Sequence, residues 1–154
     1  MQNIAIVGLG IMGKNHYRTL KNIDNVTIVG LCDVVKNDDF SEPFFTDLDT
    51  MLDETKPDAV IIAAPTFLHR DIAIECANRD IDIFLEKPAA ASVKDAEEIL
   101  SVVNKANIKS CVGHIERFNP VVRSLISEIK DHEVLSISIT RSGAFLNASQ
   151  MWVY

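Results

Sequence analysis

The sequence is short of cysteine, of basic residues and of long apolar runs, and each shortage removes a class of function. Its three cysteines, Cys32, Cys76 and Cys111, are spread through a chain of 154 residues and set in apolar surroundings. That spacing suits neither a disulfide framework nor a zinc site, so buried, reduced thiols are expected. Lysine and arginine number 15 against 22 aspartates and glutamates, a formal net charge of -7. Nucleic-acid and polybasic membrane surfaces need the opposite balance, so neither is expected as a partner. No apolar run approaches the roughly 20 residues that span a bilayer, and the N-terminus lacks the charged, apolar and small-residue segments of a secretory leader. A cytoplasmic protein is the expectation. With 47% hydrophobic residues, the chain suits one ordinary globular core and hardly two complete domains.

What is present is an alternation of two patterns. Continuous apolar runs occur at 3–8, 26–32, 59–64, 81–85 and 108–113, with a further short strand expected at 43–46. Rich in Ile and Val, they read as parallel strands covered on both faces. Helical periodicity fills the intervals. From Ser92, a stripe of Ala96, Ile99, Leu100 and Val103 lies on one face, and Ser92 with Asp95 resembles a capping box. Thr66 is placed to cap a helix striped by Ile72, Ala73, Cys76 and Ala77. Asn119 and Pro120 supply an N-cap and first-turn proline for another, striped by Val122, Leu125, Ile126 and Ile129. Only a loop or single helical turn fits between the second strand and 43–46. Strands alternating with helices predict an α/β, doubly wound parallel sheet of Rossmann type. Residues 133–143 differ: Leu135, Ile137 and Ile139 alternate with Ser136, Ser138 and Thr140, as in a strand with one buried face. The expected division is therefore a dinucleotide-binding domain over 1–118, then a linking helix and the first strand of an incomplete second domain over 119–154.

The first strand runs into "GLGIMG", placing Gly8, Gly10 and Gly13 in the G-x-G-x-x-G spacing between strand and helix. Gly8 permits the tight turn, Gly10 lets a pyrophosphate approach the backbone, and Gly13 lets helix and strand pack closely. Alone the pattern is weak. Asp33 strengthens it: it ends the second strand about twenty residues after the last glycine, where a carboxylate accepts from adenosine ribose hydroxyls. An aspartate there repels a 2′-phosphate, and no Arg or Lys immediately follows it, so NAD is expected over NADP.

At the tip of the fifth strand stand Glu86, Lys87 and Pro88. Read alone, they could be a solvated turn. Pro88 restrains Lys87 toward extended backbone and could also follow a cis bond.

The ordered set "GLGIMG", "AAPTFLH", "EKP" and "VGHIERFNP" resembles the N-terminal half of the Gfo/Idh/MocA oxidoreductases, NAD(P)-dependent dehydrogenases of sugars, inositols and nucleotide sugars. The likeness extends to about Gly143, and residues 113–120 are most similar to members such as UDP-N-acetylglucosamine 3-dehydrogenases. The resemblance implies that Gly8, Gly10, Ile11 and Met12 contact the diphosphate, and Asp33 the ribose. Ala64, Pro65, Thr66 and His69 would lie near the nicotinamide riboside. Glu86 would help hold the nicotinamide end, Lys87 would be the active-site lysine, and Arg117 would reach toward cofactor or substrate. His114 lies in the same loop as Arg117, while His16 and His132 read as structural or solvated. Acid/base work by a lysine requires that its ammonium release a proton near working pH, which partial burial and a neighbouring oxidised nicotinamide would favour.

Members of that family usually run to more than twice this length, with a C-terminal domain carrying an Asp-x-x-x-His segment. None follows Lys87 here. Two readings result: the cofactor half of a sugar or nucleotide-sugar dehydrogenase, or a stand-alone NAD-binding module without turnover. Either leaves the apolar face of 133–143 uncovered, so self-association or a complementing C-terminal chain is expected.

Overall fold

The computed structural model describes residues 1–36 and 39–140. Two compact units divide the chain, Met1–His114 and Ile115–Tyr154.

The first unit is built on six parallel strands: β1 (Gln2–Val7), β2 (Val26–Cys32), β3 (Phe44–Phe45), β4 (Ala59–Ile62), β5 (Asp82–Leu85) and β6 (Ser110–Val112). Their spatial order is β3-β2-β1-β4-β5-β6. The order reverses at β1, which pairs with both β2 and β4, and this reversal opens the crevice in which doubly wound sheets hold dinucleotides. Among the described residues, four α-helices belong to this unit: α1 (Ile11–Leu20), α2 (Leu48–Thr55), α3 (His69–Ala77) and α4 (Val93–Ala106).

The continuous apolar runs of the central strands follow from this layering, because side chains on both faces of the sheet meet apolar neighbours. On β1, Ile4 and Ile6 pack with Ile28, Leu31 and Ile61 toward Tyr17 and Leu20 of α1. Ala5 and Val7 face the opposite way, into a cluster with Met51, Leu52, Ile72, Cys76, Ile99 and Val103 from α2, α3 and α4. Ile6 and Ile62 are wholly excluded from solvent. Each such side chain contributes about 1.5–3 kcal/mol through burial, and truncating either to alanine would cost about 2–5 kcal/mol.

Several local expectations are corrected. The α2 helix occupies an interval in which no cap or apolar stripe was expected. Its stop and start are nonetheless written locally: Asp47 accepts the Thr50 N–H at 2.8 Å, Met51 and Leu52 enter the core, and Lys56 closes the helix in the left-handed region at φ 43°. Thr66 does not cap α3. It begins a 3₁₀ turn, Thr66–Leu68, and no side chain caps either element, although the apolar stripe of Ile72, Ala73, Cys76 and Ala77 is buried as expected. The Ser92 cap of α4 forms, its Oγ accepting the Asp95 N–H and donating to that carboxylate. The buried stripe there is narrower than expected, with Ile99 and Val103 inside while Ala96 and Leu100 face solvent. Cys111 is exposed, unlike Cys32 and Cys76. It sits on β6, the edge strand, whose side chain in contact with the core is Val112.

The second unit contains a 3₁₀ turn, Ile115–Phe118, and helix α5 (Pro120–Ile129). Asn119 caps α5 as expected, accepting the Val121 N–H at 3.0 Å. The α5 stripe is not buried: Leu125 and Ile126 are exposed. Residues 133–140 form no strand, and Leu135, Ile137 and Ile139 lie open to solvent. Alternation supplies a two-faced strand only when a neighbour takes up its backbone hydrogen bonds, and no described residue does so. Residues 141–143 of the expected strand lie outside the described residues.

Candidate functional site

Because all six strands are parallel, their C-terminal tips share one edge of the sheet. The glycine loop, Asp33, the Ala63–Thr66 turn, the Glu86–Pro88 turn and Gly113 are therefore neighbours by topology.

The loop is fixed by close backbone approach. Gly8 has φ +88°, and a Cβ on it would fall 2.4 Å from the Ala64 nitrogen, so the loop rests directly against the turn after β4. A Cβ on Gly13 would stand 1.8 Å from the Gly8 carbonyl oxygen. Gly10 differs: nothing lies within 4 Å of where its Cβ would be. That space opens at the start of α1, where Gly10 is the N-cap, no side chain caps the helix and no acid stands in its first turn. The first-turn N–H groups, those of Ile11, Met12 and Gly13, thus have no side-chain acceptor and face a gap suited to an anion. Ile11 itself is exposed and Met12 half-buried.

Asp33 is positioned by the same loop. Its Oδ2 accepts the Leu9 N–H at 2.6 Å, and its Oδ1 accepts the Val35 N–H at 3.3 Å. A carboxylate offers about four acceptor positions, which leaves room for a pair of ribose hydroxyls. Nearby in the chain, Glu42 meets α1, accepting from Tyr17 Oη at 2.7 Å and Lys21 Nζ at 2.6 Å. Burial pushes the Glu42 carboxyl up, but the hydrogen bonds from Lys21 and Tyr17 outweigh it and hold the group down at about 2.

On the other side of β1, Ala64 and Thr66 are half-buried and Pro65 is exposed. His69 is almost fully enclosed, at 1% exposure. Its Nε2 lies 2.9 Å from the Ala64 carbonyl and its Nδ1 3.3 Å from the Ala89 carbonyl. The ring therefore stands behind the turn after β4 and bridges it to the turn after β5, reaching the crevice through the backbone it holds. A neutral imidazole carries one N–H and can donate to only one of these carbonyls.

Glu86 is buried at 6% exposure, unusual for a carboxylate. Its Oε1 lies 2.7 Å from His16 Nε2, and its Oε2 accepts the Lys87 N–H at 3.1 Å. Lys87 is exposed, so the partial burial expected of it is not supplied by the described residues. The Lys87–Pro88 peptide bond is cis. Arg117 is exposed in the 3₁₀ turn of the second unit, and His114 is exposed at the end of the first.

The residue that sequence reasoning undervalued is His16. Gly13 marks the side of α1 pressed against the sheet, and His16 follows it by three positions, on the same side of the helix. A polar ring there must find a partner, and Glu86 is that partner. An open recess of about 470 Å³ lined by Leu52, Lys56, Pro57, Arg79 and Ile81 lies at the opposite end of the strands, away from these groups. Among the described residues, no cluster of His, Cys, Asp or Glu could hold a metal ion, and no helix is long and apolar enough to cross a membrane.

Comparisons with known proteins bear on the family and the fold. A curated relative from Mediterraneibacter gnavus, 2,7-anhydro-N-acetylneuraminate hydratase, is 31% identical over 82% of this chain and 35% of its own. The scyllo-inositol dehydrogenase of Lactobacillus casei, solved with NAD(H) and scyllo-inositol, superposes with a TM-score of 0.75 at 27% identity, over 84% of this chain and 42% of that one. The dehydrogenase WlbA of Chromobactrium violaceum, solved with NADH and UDP-GlcNAcA, gives a TM-score of 0.79 at 26% identity, over 84% of this chain and 40% of that one. The chain thus spans well under half the length of each. Residues 2–114 match the model of the oxidoreductase family with an NAD-binding Rossmann fold, and the chain belongs to that Gfo/Idh/MocA family.

Proposed function

We propose that this chain is the cofactor-binding part of a dehydrogenase that transfers hydride between NAD and a secondary alcohol or ketone of a sugar, inositol or nucleotide sugar. The observation that carries the reading is the placement of Lys87 at the same sheet edge as the open glycine loop and Asp33. When bound, NAD supplies the hydride acceptor. The residues of the chain do the rest. The first-turn N–H groups of α1 hold the diphosphate, and Asp33 takes the adenosine ribose hydroxyls while repelling a 2′-phosphate. Ala64, Pro65 and Thr66 line the nicotinamide side, with His69 holding their turn from behind. Lys87 takes the substrate hydroxyl proton in oxidation and returns it in reduction. Glu86 orders the turn that carries Lys87.

The exposure of Lys87 favours a second reading for the isolated chain, that of an NAD-binding module without turnover of its own. The experiment is to titrate the chain with NADH and NADPH, then assay NAD-dependent oxidation of inositols, hexoses and UDP-sugars. NADH binding preferred over NADPH, with turnover of at least one polyol, supports the dehydrogenase. Binding without turnover supports the module, and no binding of either dinucleotide defeats both.

A further inference from the structure

We infer that His16 is a positioning residue that ties the diphosphate seat on α1 to the turn carrying Lys87. The inference rests on the reading of the strand-tip edge as an NAD site. Phe84 and Glu86 are two positions apart at the end of β5 and so project to the same side. His16 engages both. Its ring meets Phe84 edge-on, with centroids 5.2 Å apart and planes at 69°, while Nε2 lies 2.7 Å from Glu86 Oε1.

Glu86 has little freedom to move elsewhere. Gly113, just after β6, stands near enough on one side that a Cβ on it would fall 3.3 Å from Oε1, and Oε2 is engaged by the Lys87 N–H. A buried carboxylate is tolerable only while donors surround it. His16 supplies the side-chain contact on Oε1, and the backbone of Lys87 supplies the donor on Oε2. The helix that seats the diphosphate at its first turn therefore grips, a turn further along, the carboxylate that orders Lys87. With His16 removed, Oε1 of the buried Glu86 loses its side-chain partner, and the carboxylate no longer holds the Lys87 N–H in one place. The adenosine end, held by the glycine loop and Asp33, is left in place.

The test compares two probes on the full chain, NADH and ADP-ribose, the latter lacking the nicotinamide. His16→Ala should weaken NADH about tenfold while ADP-ribose changes by less than about twofold, the signature of a lost hydrogen bond to a charged group at one end only. His16→Gln, which keeps a side-chain N–H, should recover most of the loss. Glu86→Ala should give the same split, and combining it with His16→Ala should add little. Where His16→Ala does not fold, His16→Leu, which retains packing on Phe84, carries the same expectation. An unchanged ratio of NADH to ADP-ribose affinity, a glutamine variant no better than alanine, or additive losses would overturn the inference. A wild-type chain that binds neither probe would instead overturn the NAD-site reading on which it rests.

Discussion

Asp33 and Leu9 are joined by a 2.6 Å hydrogen bond from the Leu9 N–H to the Asp33 carboxylate, so the acid proposed to select the ribose also anchors the glycine loop. Asp33→Ala should therefore show two losses: a lower melting temperature, from about 1.5–3 kcal/mol for a hydrogen bond to a charged group, and a collapse of the preference for NADH over NADPH. Asp33→Asn keeps an acceptor for Leu9 but no charge to repel a 2′-phosphate, so it should lose selectivity with less loss of stability. Fluorescence titration and thermal melts separate the two effects. An unchanged NADH-to-NADPH ratio would remove the ribose assignment.

Lys87→Met should abolish the chemistry and spare the cofactor. In a protein with measurable turnover, the expected fall in kcat is about 10²- to 10⁴-fold, the usual weight of a general acid/base, with NADH affinity retained. Near-wild-type kcat would count against the role given to Lys87.

The Glu42 clip should make acid stability depend on one carboxylate. Its folded value of about 2 lies below the unfolded glutamate value of about 4.3, so its contribution is complete above that unfolded value and is lost as pH falls toward 2. Urea midpoints measured at pH 5 and pH 2.5 should differ less in Glu42→Gln than in the wild type. An equal difference in both proteins would assign the acid sensitivity to other carboxylates.

The apolar surface of the second unit should drive self-association. Leu135 is 90% exposed and Ile139 80%, two positions from Ile137 on an alternating run. Sedimentation should show a mass that rises with concentration, and Leu135→Lys with Ile139→Lys should lower it. A wild-type chain that remains monomeric throughout would contradict this expectation.

Thiol reactivity should single out Cys111. Burial pushes the Cys32 thiol up to about 11, with Asp33 and Asp47 adding to it, and burial alone pushes Cys76 up to about 12. A disulfide reagent at neutral pH should modify one thiol per native chain and three after unfolding. Two or more reactive thiols in the native chain would show that the sheet core opens more readily than its packing implies.

The fold was legible where several residues agreed on one pattern. The strands after Asn3, Val26 and Ala59 are apolar at consecutive positions because both faces of the sheet are covered, and the glycine spacing locates the first crossover. The α2 helix is faint in the sequence because its eight residues bring only Met51 and Leu52 fully inside. In the second unit, Leu135 and Ile137 misled because alternation records a preference for two environments without providing either. The positions of Gly8, Asp33 and Lys87 at strand ends were legible in the sequence. It could not show that His69 turns inward onto two carbonyls or that His16 meets Glu86 across 70 positions. Such pairings depend on how a helix rotates against the sheet.

The left-handed cap at Lys56 has a bearing on engineering. Among the described residues, the other non-glycine positions with positive φ are Asn25, Asp80 and Asn107, residue types that tolerate this conformation far better than lysine does. Lys56 precedes β4, at the end of the sheet remote from Lys87 and the glycine loop. A glycine there would relieve the helix terminus without disturbing any group assigned to the cofactor. The two ends of this sheet can thus be altered independently, one for sturdiness and the other for chemistry.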